Sequence, residues 1–176
     1  MRRAVHGKSC NFNEVGDSLP TTHAYFGTTG LRIMQPTERE RTAHHEAAHA
    51  VAGRLLRPDA RVLDVTNRPI EGTLGHVGLE LSKAELDCEP GAIQNLCTVL
   101  LAGRAAETEL LGVPPESTEQ GAADDEAAVQ NFLSLLGLGG EEGAMERARL
   151  YEEARRLVIR EREQISKQAQ ALMDAG

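Results

Sequence analysis

The chain has 176 residues, with 19 Lys and Arg against 27 Asp and Glu for a formal net charge of −8, and a pI of about 5.3. That length supports one domain with a real core rather than two, and the acidic balance excludes a basic surface of the kind that meets nucleic-acid phosphates. Nothing after Met1-Arg2-Arg3 reads as a signal peptide and no run of about 20 apolar residues occurs, while Cys10, Cys88 and Cys97 form neither a disulfide framework nor a Cys-x-x-Cys knuckle, so the expectation is a cytoplasmic protein that neither spans nor sits on a membrane.

Residues 1 to 36 show no helical or strand period and read as a flexible N-terminal arm, with or without a role, ahead of a domain at 37 to 176. Thr37-Glu-Arg-Glu40 is a capping box that starts a helix, and the Ala-rich run continues it through Leu56 until Pro58 stops it. Ala60 to Thr66 and Thr73 to Leu81 alternate as strands around a Pro69/Gly72 turn, giving a small hairpin or meander. Apolar residues recur at helical spacing from Pro90 to Leu111, with Gly112 as the natural C′ residue, and a third helix covers Ala122 to Leu136 before Gly137. From Glu142 to Met173 a narrow apolar stripe predicts one long helix, or two broken near the start, packing on the chain's own core. The basic cluster Arg155, Arg156, Arg160 and Arg162 is interleaved with glutamates and reads as a solvated helix face. The expected fold is mainly α with a small β-sheet (α+β): a motif helix, the sheet, and a helical C-terminal part.

Inside the first helix stands His45-Glu-Ala-Ala-His49. Positions i and i+4 share a helix face with Cβ atoms roughly 6 Å apart, so both imidazoles can reach one tetrahedral zinc ion per chain. Glu46 lies beside them, placed to take a proton from a water that the zinc has acidified toward a pKa of about 7. A catalytic zinc takes three protein ligands, and two acids compete for the third place: Glu107 in Leu100-Leu-Ala-Gly-Arg-Ala-Ala-Glu107, and Asp125 in Gln120-Gly-Ala-Ala-Asp-Asp125. Spacing does not choose between them. His44 sits about 100° around the helix from His45 and so faces away from the metal.

These segments carry a resemblance. Thr42 to Val51, Leu100 to Glu107 and Ser117 to Asp125 are similar, in order and separation, to three motifs of the FtsH-type zinc peptidase domain, and the likeness runs from about Thr37 to Leu172. The resemblance implies Asp125 as third ligand and Glu107 as a residue that orients a ligand histidine. Ala48 stands where that family usually has Gly, His44 replaces a common aromatic, and Asp124 occupies what is often Asn, but no ligand is lost. FtsH proteins also carry a membrane anchor and an ATPase domain, for which the sequence offers no match; Gly7-Lys8-Ser9 lacks the glycine a phosphate loop needs at position 2.

The implied reaction is hydrolysis of peptide bonds in unfolded or flexible polypeptides, FtsH-like without an ATPase of its own. Such a substrate would lie extended along a strand edge, and Thr73 to Leu81 is the candidate, with Gly75 and Gly78 allowing close approach. His76 on that strand reads as a solvent-facing histidine ahead of an oxyanion donor. Since FtsH peptidase domains form hexameric rings, the resemblance admits a homo-oligomer and a separate ATPase partner. Two rivals remain: a zinc protease with one regulatory protein substrate, and a catalytically silent, zinc-stabilised binding module, against which an intact Glu46 argues.

Overall fold

The computed structural model describes residues 35–66, 76–118 and 121–175. All but the last two residues of the expected N-terminal arm lie outside these. Helix α1 spans Glu38–Leu56, and the Thr37 hydroxyl accepts from the Glu40 amide at its start, as the capping sequence requires. Strands β1 (Val62–Thr66) and β2 (His76–Leu79) pair antiparallel as a hairpin, with an irregularity between Val62 and Asp64. A short helix α2 (Lys83–Leu86) follows, held by a Ser82/Glu85 capping box. Helix α3 (Pro90–Leu111) ends at Gly112 with φ 65°, a left-handed turn that glycine adopts without strain. After a 3-10 turn at Pro115–Ser117 come α4 (Ala123–Leu135), α5 (Gly140–Arg160) and α6 (Arg162–Ala175).

The architecture is thus mainly α with a two-stranded sheet, and α1 is its axis, lying between α3 and α6. Small side chains make this approach possible. Ala43, Ala47, Ala48, Ala50 and Ala52 of α1, and Ala102, Ala105 and Ala106 of α3, are fully buried, and side chains this small let packed helices approach one another closely. Ala48, where the resembled family prefers glycine, is fully buried here. Larger residues fill the outer layers: Val129 and Leu133 of α4, Leu150, Leu157 and Val158 of α5, and Ile165 and Leu172 of α6. The stripe of the last helices therefore serves the chain's own core.

The break in that last segment falls at Glu161, mid-way rather than near the start. Glu161 has φ −96° and ψ 13°, its amide bonds to Leu157 O and its carbonyl accepts from Ile165 N. The hydrogen-bond ladder passes through a bend, and the stripe changes partner from α3 to α1 across it. Behind α1, Arg57 is buried with Glu85, bonding it through Nε and Nη2 and also donating to Glu80 O at 2.7 Å. The ion pair ties the end of α1 to α2, and the bond to Glu80 O ties it to the residue that follows β2.

Candidate metal centre

His45 and His49 lie on the α1 face that meets α3, and the two helices run antiparallel, so His49 reaches Val99 and His45 reaches Glu107. His49 Nδ1 donates to Val99 O at 2.8 Å. A carbonyl only accepts, so Nδ1 carries the proton and Nε2 is left with its lone pair in the neutral ring. His45 Nδ1 donates to Glu107 Oε1 at 2.9 Å. Both Nε2 atoms then converge on a single oxygen, Asp125 Oδ2, at 3.1 Å from His45 and 3.2 Å from His49. Ligand-capable atoms of His45, His49 and Asp125 all lie within 4.8 Å of one another, the only such group of three or more among the described residues.

This donor set suits zinc: two neutral imidazole nitrogens and one carboxylate oxygen, with each ring oriented from its other nitrogen. Two nitrogen lone pairs and a carboxylate facing one another at such range repel unless a proton or a cation lies among them. A proton on His45 meets that need. Burial favours neutral His45, but the bonds from Asp125 and Glu107 and the charges of Asp125 and Glu46 outweigh it, and the pKa is pushed up to about 10. Burial likewise opposes charge on Asp125, yet His49 and His45 hold its carboxyl well below the usual carboxylate range.

Glu46 is buried on α1 next to His45. Glu107 is 3% exposed and its second oxygen takes Arg41 Nε at 2.8 Å, while Arg41 Nη2 also donates to Ser117 O at 2.8 Å. Burial would raise the Glu107 carboxyl, but His45 and Arg41 lower it and keep it ionised. Asp125 is carried by the first turn of α4, and α4 is moored by its neighbour. Glu126 accepts from Arg104 Nη1 at 2.8 Å and from Arg147 Nη1 at 2.7 Å, and Arg104 Nε also reaches the fully buried Thr118 hydroxyl at 3.1 Å.

Of the residues picked out from sequence, the structure gathers His45, Glu46, His49, Glu107 and Asp125. His44 is turned away from the cluster, its Nδ1 bonded to Glu40 O at 2.9 Å. Gly75 lies outside the described residues. His76 and Gly78 are on β2, where Gly78 pairs with Asp64. Arg41, the Val99 carbonyl, Arg104 and Glu126 were not singled out. Arg41 had a signal, since it precedes His45 by one helical turn on the same face. A cavity of about 260 Å³ among Leu56, Asn95, Thr98 and Leu157 lies at the other end of α1 and holds none of these groups.

Comparison with known proteins bears on the family. The family model described as peptidase family M41 matches residues 32–176. The ATP-dependent zinc metalloprotease FtsH 1 of Alkaliphilus metalliredigens is 33% identical over 104 residues, 59% of this chain and 17% of that protein. The mitochondrial inner membrane m-AAA protease component yta12 of Schizosaccharomyces pombe is 36% identical over 102 residues, 56% of this chain and 13% of its own length. The ATP-dependent zinc metalloprotease FtsH 1 of Symbiobacterium thermophilum is 43% identical over 90 residues, 50% of this chain and 14% of that protein. The chain thus spans less than a fifth of each of these relatives.

Proposed function

The chain belongs to peptidase family M41 and is a metallopeptidase domain, and from that premise we propose that it is a zinc-dependent endopeptidase holding one zinc through His45, His49 and Asp125 and cleaving unfolded or flexible polypeptides. The observation that carries this reading is the convergence of both Nε2 atoms on Asp125 Oδ2 while both Nδ1 atoms are engaged elsewhere. Each ring is thereby oriented from the nitrogen that the metal would leave free.

When bound, zinc supplies Lewis acidity, acidifying a water and polarising a peptide carbonyl. The rest of the chemistry belongs to the chain. Glu46 is the general base, taking a proton onto its carboxylate from the attacking water and returning it to the leaving amine. Glu107 orients His45 and holds its Nδ1 proton, with Arg41 keeping Glu107 charged. Asp125 brings one negative charge to a pair of neutral rings. The edge of β2 opposite β1 offers unpaired backbone groups among the described residues, and we assign it to an extended substrate, with Gly78 as the point of close approach.

The arm at 1–36, a cytoplasmic location, assembly with copies of itself and service to a separate ATPase belong to the same proposal. Among the described residues Cys88 and Cys97 are unpaired, and no helix is long and apolar enough to cross a membrane. The test is hydrolysis of casein by zinc-loaded protein without ATP, against Glu46→Gln. The variant should keep its zinc and lose roughly 10²- to 10⁴-fold in rate. If loaded wild type and Glu46→Gln are equally silent, the binding-module reading replaces the enzyme.

A further inference from the structure

Helix α3 presents Val99, Gly103 and Glu107 along one stripe, four residues apart, to the stripe of α1 that carries His45 and His49. The outer two members hold the rings: Val99 O takes His49 Nδ1 and Glu107 takes His45 Nδ1. Gly103 lies between them. A Cβ built there would stand 2.5 Å from His45 Nε2, 2.6 Å from His45 Cδ2 and 2.6 Å from His49 Nε2, well inside the roughly 3.5–4.0 Å at which such atoms rest in contact.

Neither ring has an easy retreat. Each is pinned at Nδ1, and the two meet edge to face with centroids 4.6 Å apart. Moving α3 away would stretch both Nδ1 bonds at once. Backbone freedom does not explain the glycine, because Gly103 is not among the residues with positive φ. In mid-helix glycine is a poor helix former that weakens the segment. Its reason is space.

We propose that Gly103 is a positioning residue of the metal centre: its missing side chain keeps open the space beside both Nε2 atoms, so that α3 can hold the two histidines through Nδ1 while both Nε2 atoms stay aimed at Asp125. The inference rests on the reading of His45, His49 and Asp125 as ligands. A methyl at 103 would force the rings to turn Nε2 aside or force the helices apart, and either change spoils the convergence.

The test pairs a zinc titration with a thermal cycle on metal-free protein. Gly103→Ala should bind zinc at least tenfold more weakly than wild type while both remain folded. In the metal-free state Gly103→Ala should lower Tm. In a His45→Ala/His49→Ala background, where the rings are gone, the same change should raise it by roughly 2–4 °C, as expected for Gly to Ala within a helix. That change of sign is what a general packing role would not give. Equal zinc affinity in wild type and variant overturns the proposal, as does an equal fall in Tm in both backgrounds. Should Gly103→Ala fail to fold on its own, folding in the ring-less background supports the proposal and failure there too overturns it. Wild type that takes up no zinc refutes the metal reading, and this inference with it, before any substitution is compared.

Discussion

Replacing Glu107 with Gln changes one charge and almost no volume, and the structure says where the loss is felt. Glu107 is buried, with one oxygen on His45 Nδ1 at 2.9 Å and the other on Arg41 Nε at 2.8 Å. A Gln can still accept from His45, but its amide N–H₂ then faces the Arg41 guanidinium, donor against donor. Hydrogen bonds to charged groups contribute about 1.5–3 kcal/mol, so metal-free protein should lose about 2 kcal/mol, a fall in Tm of roughly 4–8 °C at this size. Loss of such a support costs zinc affinity about 10- to 100-fold. Asp125→Ala removes a ligand atom outright. With about 10–16 kcal/mol spread over four zinc ligands, one ligand represents about 2.5–4 kcal/mol, or roughly 10²- to 10³-fold in affinity. Zinc competition against a chromophoric chelator measures both variants on one scale, and melting in EDTA gives the metal-free cost. Zinc loss in Glu107→Gln equal to or greater than that in Asp125→Ala would refute the assignment of Asp125 as ligand.

Further predictions concern His45, Arg104 and Glu85. His45, with its pKa pushed up to about 10, holds a proton that zinc must displace, so zinc affinity should climb about tenfold per pH unit between pH 7 and 9; a flat titration would contradict it. Because that value is raised, the same proton stabilises metal-free protein fully below about 6.5 and its contribution fades as pH rises toward about 10, which melting in EDTA across that range reads directly. Arg104→Ala removes one bond from Glu126, leaving it to Arg147, and one from Thr118, lowering Tm and weakening zinc binding through α4, and Arg104→Lys should rescue little because one ammonium cannot span both partners; unchanged zinc affinity in both variants would contradict it. Glu85→Gln should cost about 3 kcal/mol in denaturant unfolding by stranding buried Arg57, and since Arg57 and Ser82 lower the Glu85 pKa against its burial, that stability is present above about pH 4.5 and lost as pH falls further.

Much of the architecture was legible because its signals are local. Thr37 caps α1, Gly112 and Gly137 sit at positive φ after α3 and α4, and the His45/His49 spacing puts two rings on one face whatever surrounds them. The bend at Glu161 was not legible, since no Gly or Pro marks it and it reflects a change of packing partner. Residue separation could not decide between Glu107 and Asp125 either. They lie 62 and 80 residues from His45, both contact it, and what distinguishes them is which ring nitrogen each meets. Ser82-x-x-Glu85 is also a local signal, a capping box that opens the four-residue helix α2. Val99 was beyond reach in principle, because its contribution is a backbone oxygen that every residue type possesses.

That last point makes the two histidines unequal in the face of mutation. His45 is held by a side chain, itself held by Arg41, and each link of that chain can be swapped by a single codon change. His49 is held by an atom no substitution at position 99 can delete. Inherited variation can therefore retune the grip of one imidazole, stepwise and from as far away as Arg41, while the other stays anchored. The centre thus has one adjustable arm and one fixed arm.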